Sequence, residues 1–120
     1  MKIAMPVIET SNKGSIYSSF GRSPYFLIFD SVNNEYHFIK NEAENAVGGA
    51  GTKAAQLLID QKVDTLITYQ LGGNAAAILK LSSMIIYQAK DGTIEDNIKG
   101  AINEELDILM HIHQSHHGTI

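Results

Sequence analysis

Val63-Asp64-Thr65-Leu66-Ile67-Thr68, then Tyr69-Gln70-Leu71-Gly72-Gly73-Asn74, then Ala75 to Leu81 read in succession as a short apolar strand, a glycine-bearing turn and a helix. Upstream, Lys53-Ala54-Ala55-Gln56-Leu57-Leu58-Ile59-Asp60 has helical periodicity, with Thr52 placed to cap it. Downstream, Met84 to Tyr87 supplies another strand, and Thr93 with Asp96 three residues on forms a capping-box pattern at the start of a third helix. Ile94, Ile98, Ala101, Ile102, Leu106 and Leu109 are expected to mark the apolar face of that helix. This alternation of strand and helix predicts parallel pairing with crossover helices.

The first forty residues follow a different rule. Lys2 to Ile8 is an almost unbroken apolar run, which suits a central strand buried on both faces. Glu9 to Ser18 is a polar loop, Tyr25 to Asp30 a second strand, and Glu35 to Lys40 a third whose alternation suits a sheet edge. Asn33-Asn34 between the last two supplies a tight turn, so they form an antiparallel hairpin. A hairpin followed by parallel units predicts an α/β fold with a mixed sheet and helices on both faces.

The chain has 120 residues, 44% hydrophobic and 18% charged, which suits one globular domain with its own core. No apolar run approaches a membrane span, and the N-terminus enters a strand pattern at once without a signal-peptide core, so a cytoplasmic location is expected. Cysteine is absent, which excludes disulfides, a thiolate nucleophile and Cys-ligated zinc or iron. A formal net charge of -4 with scattered lysines argues against nucleic acid as a partner.

Three features could carry chemistry. Arg22 is the only arginine among nine basic residues, in Ser19-Phe20-Gly21-Arg22-Ser23-Pro24 between two strands. Its planar fork can grip a carboxylate, phosphate or other multi-oxygen anion in a way that lysine cannot, while Gly21 permits close backbone approach. The alternative for this segment is a turn whose arginine stem covers apolar surface. Two glycine-rich helix starts, Gly48-Gly49-Ala50-Gly51-Thr52 and Leu71-Gly72-Gly73-Asn74, can present bare amides to an anion, although glycine here also suits close packing. Neither has the spacing of a phosphate-binding loop or a dinucleotide fingerprint. The third feature is the C-terminal segment, with His111, His113, His116 and His117 at a spacing able to coordinate a divalent metal; the alternative is a His-rich end that takes up metal only weakly and adventitiously. Tyr17, Phe20, Tyr25 and Tyr69 bracket the proposed loops and are expected at the core edge.

No catalytic set can be assembled. The serines near Arg22 lack a nucleophile-elbow motif, His37 is the only histidine before the tail, and Glu42 with Glu44 and Glu104 with Glu105 read as solvated charge. A two-metal nuclease would need clustered carboxylates, which are missing from the pattern.

Taken together, Met1 to Val7, Phe20-Gly21-Arg22-Ser23-Pro24-Tyr25-Phe26, Gly49-Ala50-Gly51 with Ala54-Ala55-Gln56-Leu57-Leu58, and Val63-Asp64-Thr65-Leu66-Ile67 before Gly72-Gly73-Asn74-Ala75 resemble the dinitrogenase iron-molybdenum cofactor biosynthesis family, the small carrier domains of NifX and of the NifB C-terminus. The resemblance runs over residues 1–106 and leaves 107–120 as a His-rich tail. It implies a three-layer ribonuclease H-like motif fold on a mixed sheet of about five strands. It also implies a non-enzymatic carrier or chaperone that binds an iron-sulfur or iron-molybdenum cofactor, or a precursor, and delivers it to metallocluster assembly or acceptor proteins. Many relatives have histidine where this chain has Ser19, and Asn-Pro with a histidine where it reads Asn41-Glu42-Ala43-Glu44-Asn45. The cofactor would then rest on Ser19, Gly21, Arg22, Gly49, Gly51, Thr52, Gly72, Gly73 and Asn74, or on the tail histidines. The alternative is a metal-free regulatory or interaction module that binds a small anion or partner protein at the same edge.

Overall fold

A computed structural model describes residues 1–109 and the backbone of residues 112–113. β1 (Lys2–Val7), β2 (Tyr25–Asp30), β3 (Glu35–Lys40), β4 (Thr65–Thr68) and β6 (Ile85–Gln88) form one sheet in the order β3-β2-β1-β4-β6. Central β1 pairs antiparallel with β2, Lys2 opposite Asp30 and Val7 opposite Tyr25, and parallel with β4. β4 in turn pairs parallel with β6. The mixed sheet of five strands, with helices packed on both faces, is the expected α/β architecture.

Strand alternation divides the core in two. On one face Ala4, Phe26, Ile28, Leu66 and Ile86 pack against α1 (Ala50–Asp60) through Ala54, Ala55 and Leu58, and against α2 (Gly73–Leu81) through Ala75, Ala76 and Leu79. On the other, Ile3, Met5, Val7, Leu27, Phe29, Ile67 and Tyr87 pack against α3 (Ile94–Ile102) through Ile94, Ile98 and Ala101. β1 serves both faces, which accounts for its unbroken apolar sequence.

Several boundaries depart from the sequence reading. α1 begins at Ala50 with Gly49 as N-cap, so Thr52 lies in the first turn and caps nothing. Gly49 occupies the left-handed region at φ 68°, and it starts the helix by backbone geometry that a side chain would strain. α2 starts at Gly73, two residues earlier than its alanine run suggests, and Leu71–Gly72 forms a two-residue strand, β5. α3 has the expected capping box between Thr93 and Asp96 but stops at Ile102, which is exposed. Leu106 therefore returns from beyond the helix to the α3 face, and Leu109 joins the opposite core, beside α1 and α2. Asp107–Leu109 lies along the outer edge of β6: the Leu109 amide donates to Ile86 and the Gln88 amide to Asp107.

All three helices end alike. Past the C-caps Gln61, Ser82 and Asn103, the residues Lys62, Ser83 and Glu104 have φ of 61°, 65° and 57°. Paired backbone bonds close each end: Val63 to Leu58 with Lys62 to Ile59, Met84 to Leu79 with Ser83 to Lys80, and Glu105 to Gly100 with Glu104 to Ala101. This is the geometry that glycine ordinarily serves, here held by side-chain-bearing residues, so the sequence carries no stop signal at these points.

Two predictions follow from these helix ends. Lys62→Gly, Ser83→Gly and Glu104→Gly relieve left-handed strain of about 1–2 kcal/mol against a glycine entropy cost of about 0.5–1 kcal/mol. Each is expected to stabilise slightly in urea melts, and destabilisation would show that these turns are unstrained. At the other end of α3, the Thr93 amide and hydroxyl hold the Asp96 carboxyl below its ordinary range. A depressed folded-state value contributes stability above the unfolded value, lost as pH falls towards the folded one. Asp96→Asn should flatten the acid limb of the stability–pH curve below about pH 4; an unchanged limb would remove the box from acid unfolding.

Candidate functional site

The carboxyl ends of β1, β4 and β6 lie at one sheet edge, together with the start of β2 and the end of β3. Three segments meet there around an open cavity of about 670 Å³: Ser19 to Arg22 before β2, Gly49 to Thr52 at the start of α1, and Gln70 to Ala75 from β5 into α2. Ser19, Gly21, Arg22, Gly49, Gly51, Thr52, Gly72, Gly73 and Asn74 all line it. Ligand sites of open α/β sheets form at this edge because helix N-termini arrive there.

The segments are joined by backbone contact. A Cβ built on Gly21 would stand 2.9 Å from the Gly51 nitrogen and 3.0 Å from its Cα, closer than real atoms come. Only glycine lets the Arg22 loop rest on the first turn of α1. A Cβ on Gly51 would in turn sit 3.5 Å from the Ala75 methyl, which places the two helix starts side by side. Asn41, at 1% exposure, fastens the loop from behind. Its side-chain amide donates to the carbonyls of Gly21 at 3.0 Å and Ser23 at 2.8 Å, and its oxygen accepts from the Ala43 amide at 3.0 Å. The sequence reading passed over Asn41 as one polar residue in a loop; its signal was position, directly after the edge strand.

Arg22 is exposed and has two employments. Its Nη1 donates to the carbonyls of Glu44 at 3.1 Å and Ala46 at 2.6 Å, tethering the 44–46 loop. Among the described residues, Nε and Nη2 have no acceptor, so one side of the fork remains for a ligand.

Neither helix start at the cavity has a side-chain cap or an acidic residue in its first turn. The amides of Ala50, Gly51 and Thr52, and of Gly73, Asn74 and Ala75, are first-turn donors with no intrahelical acceptor. α3, away from the cavity, carries a full capping box with Glu95 and Asp96 in its first turn. Two positive dipole ends thus open on one space that also holds a guanidinium.

The aromatic residues belong elsewhere. Phe20 is buried, its ring centroid 5.3 Å from that of Phe26, although it reaches the cavity wall. The Tyr69 hydroxyl donates to the Lys90 carbonyl and Asp91, and burial followed by the Asp91 charge raises its ionisation range. His37 stands exposed on β3 beside Glu35 at 3.4 Å. Gln70, which the sequence reading did not single out, lines the cavity and donates to the Ser18 carbonyl at 3.4 Å. Among the described residues no group of three His, Cys, Asp or Glu side chains gathers to hold a metal ion. Of the proposed tail ligands, His111, His116 and His117 lie outside the described residues, and only the backbone of His113 lies within them.

This edge pairs two helix starts beside a lone arginine on a mixed-sheet α/β domain. The model of the family described as dinitrogenase iron-molybdenum cofactor matches residues 1–104, and the chain belongs to that family. It is 29% identical over 110 residues to the uncharacterized protein MJ0580 of Methanocaldococcus jannaschii, covering 89% of this chain and 90% of the other. The apo form of the orange protein from Desulfovibrio gigas superposes with a TM-score of 0.85 at 21% identity, covering 91% of this chain and 92% of that one. A Thermotoga protein provisionally assigned as NifB superposes with a TM-score of 0.80 at 25% identity, over 96% and 98% of the two chains. No helix among the described residues is long and apolar enough to cross a membrane.

Gly21→Ala drives a methyl into backbone that has no flexible side chain to move. It is expected to cost about 1–3 kcal/mol by chemical denaturation; an unaltered midpoint would mean that the Arg22 loop is not seated on α1 as described.

Proposed function

We propose that the chain is a non-enzymatic carrier that holds an anionic iron-sulfur or iron-molybdenum cofactor, or a precursor, at this edge and passes it to an acceptor protein in the cytoplasm. The observation that carries the reading is the pair of uncapped helix starts, α1 and α2, opening side by side on one cavity lined by Arg22. A cluster with anionic sulfurs offers many weak acceptors over a broad surface, and it is matched by many fixed donors rather than by one strong one. Gly49, Gly51, Gly72 and Gly73 leave that surface without side chains in the way. Ser19, Thr52 and Asn74 add polar groups at its margin, and the Nε and Nη2 edge of Arg22 adds the one full charge. Membership of the cofactor family supports the cargo class.

Release is part of the same design. The amide donors and Arg22 make no covalent or coordinate bond, so an acceptor that offers stronger ligands can take the cargo. Among the described residues, the cavity is lined by backbone amides, hydroxyls, carboxamides and one guanidinium, groups suited to holding an anion.

The test is anaerobic incubation with an isolated iron-sulfur cofactor precursor, desalting, and iron analysis. Arg22→Ala removes charge-assisted hydrogen bonds and should weaken retention roughly 10- to 100-fold, with a small change in unfolding midpoint because the freed carbonyls are open to water. Equal retention would remove Arg22 from the site. Absence of iron on the wild-type chain would overturn the carrier reading in favour of a metal-free interaction module.

A further inference from the structure

Both ends of Arg22 are held by bonds that lead back to one buried residue. The Asn41 side-chain amide donates to the carbonyls of Gly21 and Ser23, the neighbours of Arg22 on either side in the chain. Asn41 is itself fixed at the end of β3, where its backbone amide donates to the Pro24 carbonyl at 3.0 Å. The guanidinium end closes on the same place. Asn41 Oδ1 accepts from the Ala43 amide at 3.0 Å and the Asn41 carbonyl from the Glu44 amide at 3.1 Å, while the Ala43 carbonyl accepts from the Ala46 amide at 3.0 Å. These bonds set the turn whose Glu44 and Ala46 carbonyls accept from Arg22 Nη1.

The clamp decides which donors remain. A guanidinium can present parallel N–H pairs along its terminal edge, Nη1 with Nη2, or along its side, Nε with Nη2. With Nη1 committed to two carbonyls the terminal edge is spent, and among the described residues the side pair has no acceptor. Two parallel donors match two acceptor atoms carried on one centre, and a lysine ammonium in the same place would supply the charge without the pair. Asn97 provides an internal comparison. It is fully buried, accepts from the Lys90 amide at 2.9 Å and donates to the carbonyls of Lys90 and Thr93 at 3.0 Å each. It makes the same kind of clamp ahead of α3, on residues that do not line the cavity.

We propose that Asn41 is the positioning residue for Arg22, and that the clamp restricts Arg22 to a side-on grip on two anionic atoms borne by one centre of the cargo. The inference rests on the carrier reading and deepens it, naming the part of the cargo that the one full charge recognises. Asn41 does not line the cavity, so its effect on binding passes through Arg22.

The experiment uses the full chain, unsubstituted and as Asn41→Ala, Asn97→Ala, Arg22→Lys, Arg22→Ala and the Asn41→Ala/Arg22→Ala double variant, at a temperature where each is folded. The first readout needs no ligand. Arg22 is the only arginine, so its Nε–Hε group gives one signal in ¹⁵N nuclear magnetic resonance, and the relaxation of that signal reports its order. The signal is expected to be ordered in the unsubstituted chain and in Asn97→Ala, and mobile in Asn41→Ala. A mobile signal in the unsubstituted chain overturns the clamp, and this outcome needs no variant to fold. Equal order in Asn41→Ala and the unsubstituted chain overturns it as well.

The second readout is retention of the isolated iron-sulfur cofactor precursor, measured as iron after anaerobic desalting. Asn41→Ala and Arg22→Lys should each weaken retention roughly tenfold, and Asn41→Ala should add less than about twofold when Arg22 is already alanine. Asn97→Ala should retain the precursor like the unsubstituted chain despite a lowered unfolding midpoint. Full retention by Arg22→Lys would show that charge alone suffices and overturn the side-on grip. Equal losses in Asn41→Ala and Asn97→Ala would reduce Asn41 to a stabilising role; in both cases the carrier reading stands. If the unsubstituted chain holds no iron, the carrier reading and the grip on its cargo fall, and the resonance comparison still decides whether Asn41 orders Arg22.

Discussion

The site depends on a contact with no side chain in it. Gly21 meets the backbone of Ala50 and Gly51 at a separation that no Cβ could share. That contact sets the Arg22 loop against the first turn of α1, and α1 stands beside α2 at Gly51 and Ala75. Three segments distant in sequence thereby become one wall. Asn41 makes the arrangement durable, because a buried carboxamide with all its named partners in place resists displacement of any one of them.

β1 supplies the frame on which this happens. Antiparallel to β2 on one side and parallel to β4 on the other, it brings the loop before β2 and the turn after β4 to the same edge. Local charge then follows from helix direction. Because α1 and α2 both start at that edge, their dipoles add instead of cancelling, and the absence of capping side chains leaves the amides available. A chain of net charge -4 can in this way present a small region suited to an anion.

Arg22 shows how one side chain can tie a distant loop and still keep donors to spare. Nη1 is committed to the carbonyls of Glu44 and Ala46, which orders the side chain and holds the 44–46 loop. An arginine fixed in this way has less entropy to lose in any further contact than a free one. The sequence reading weighed a ligand-gripping arginine against a surface-covering one; the tether is a third employment that the six-residue motif could not reveal, because both acceptors lie more than twenty residues away in the chain.

The sequence by itself determined the α/β class, the hairpin followed by parallel units, the central place of β1 and the glycines of the loop edge, because each is written in local periodicity or in residues with distinctive backbone freedom. It also brought Arg22 and both glycine-rich helix starts forward as candidates. It misplaced the start of α1, since a left-handed Gly49 does the work that Thr52 was expected to do, and it ran α3 too far, since Glu104 makes a turn that carries no glycine signal. Only the tertiary structure decided that the candidate residues surround one cavity, that Asn41 locks the loop, and that β7 (Ile112–His113) returns beside Gly72. Those outcomes depend on distances between residues far apart in the chain, where a few tenths of an ångström at Gly21 separate contact from collision.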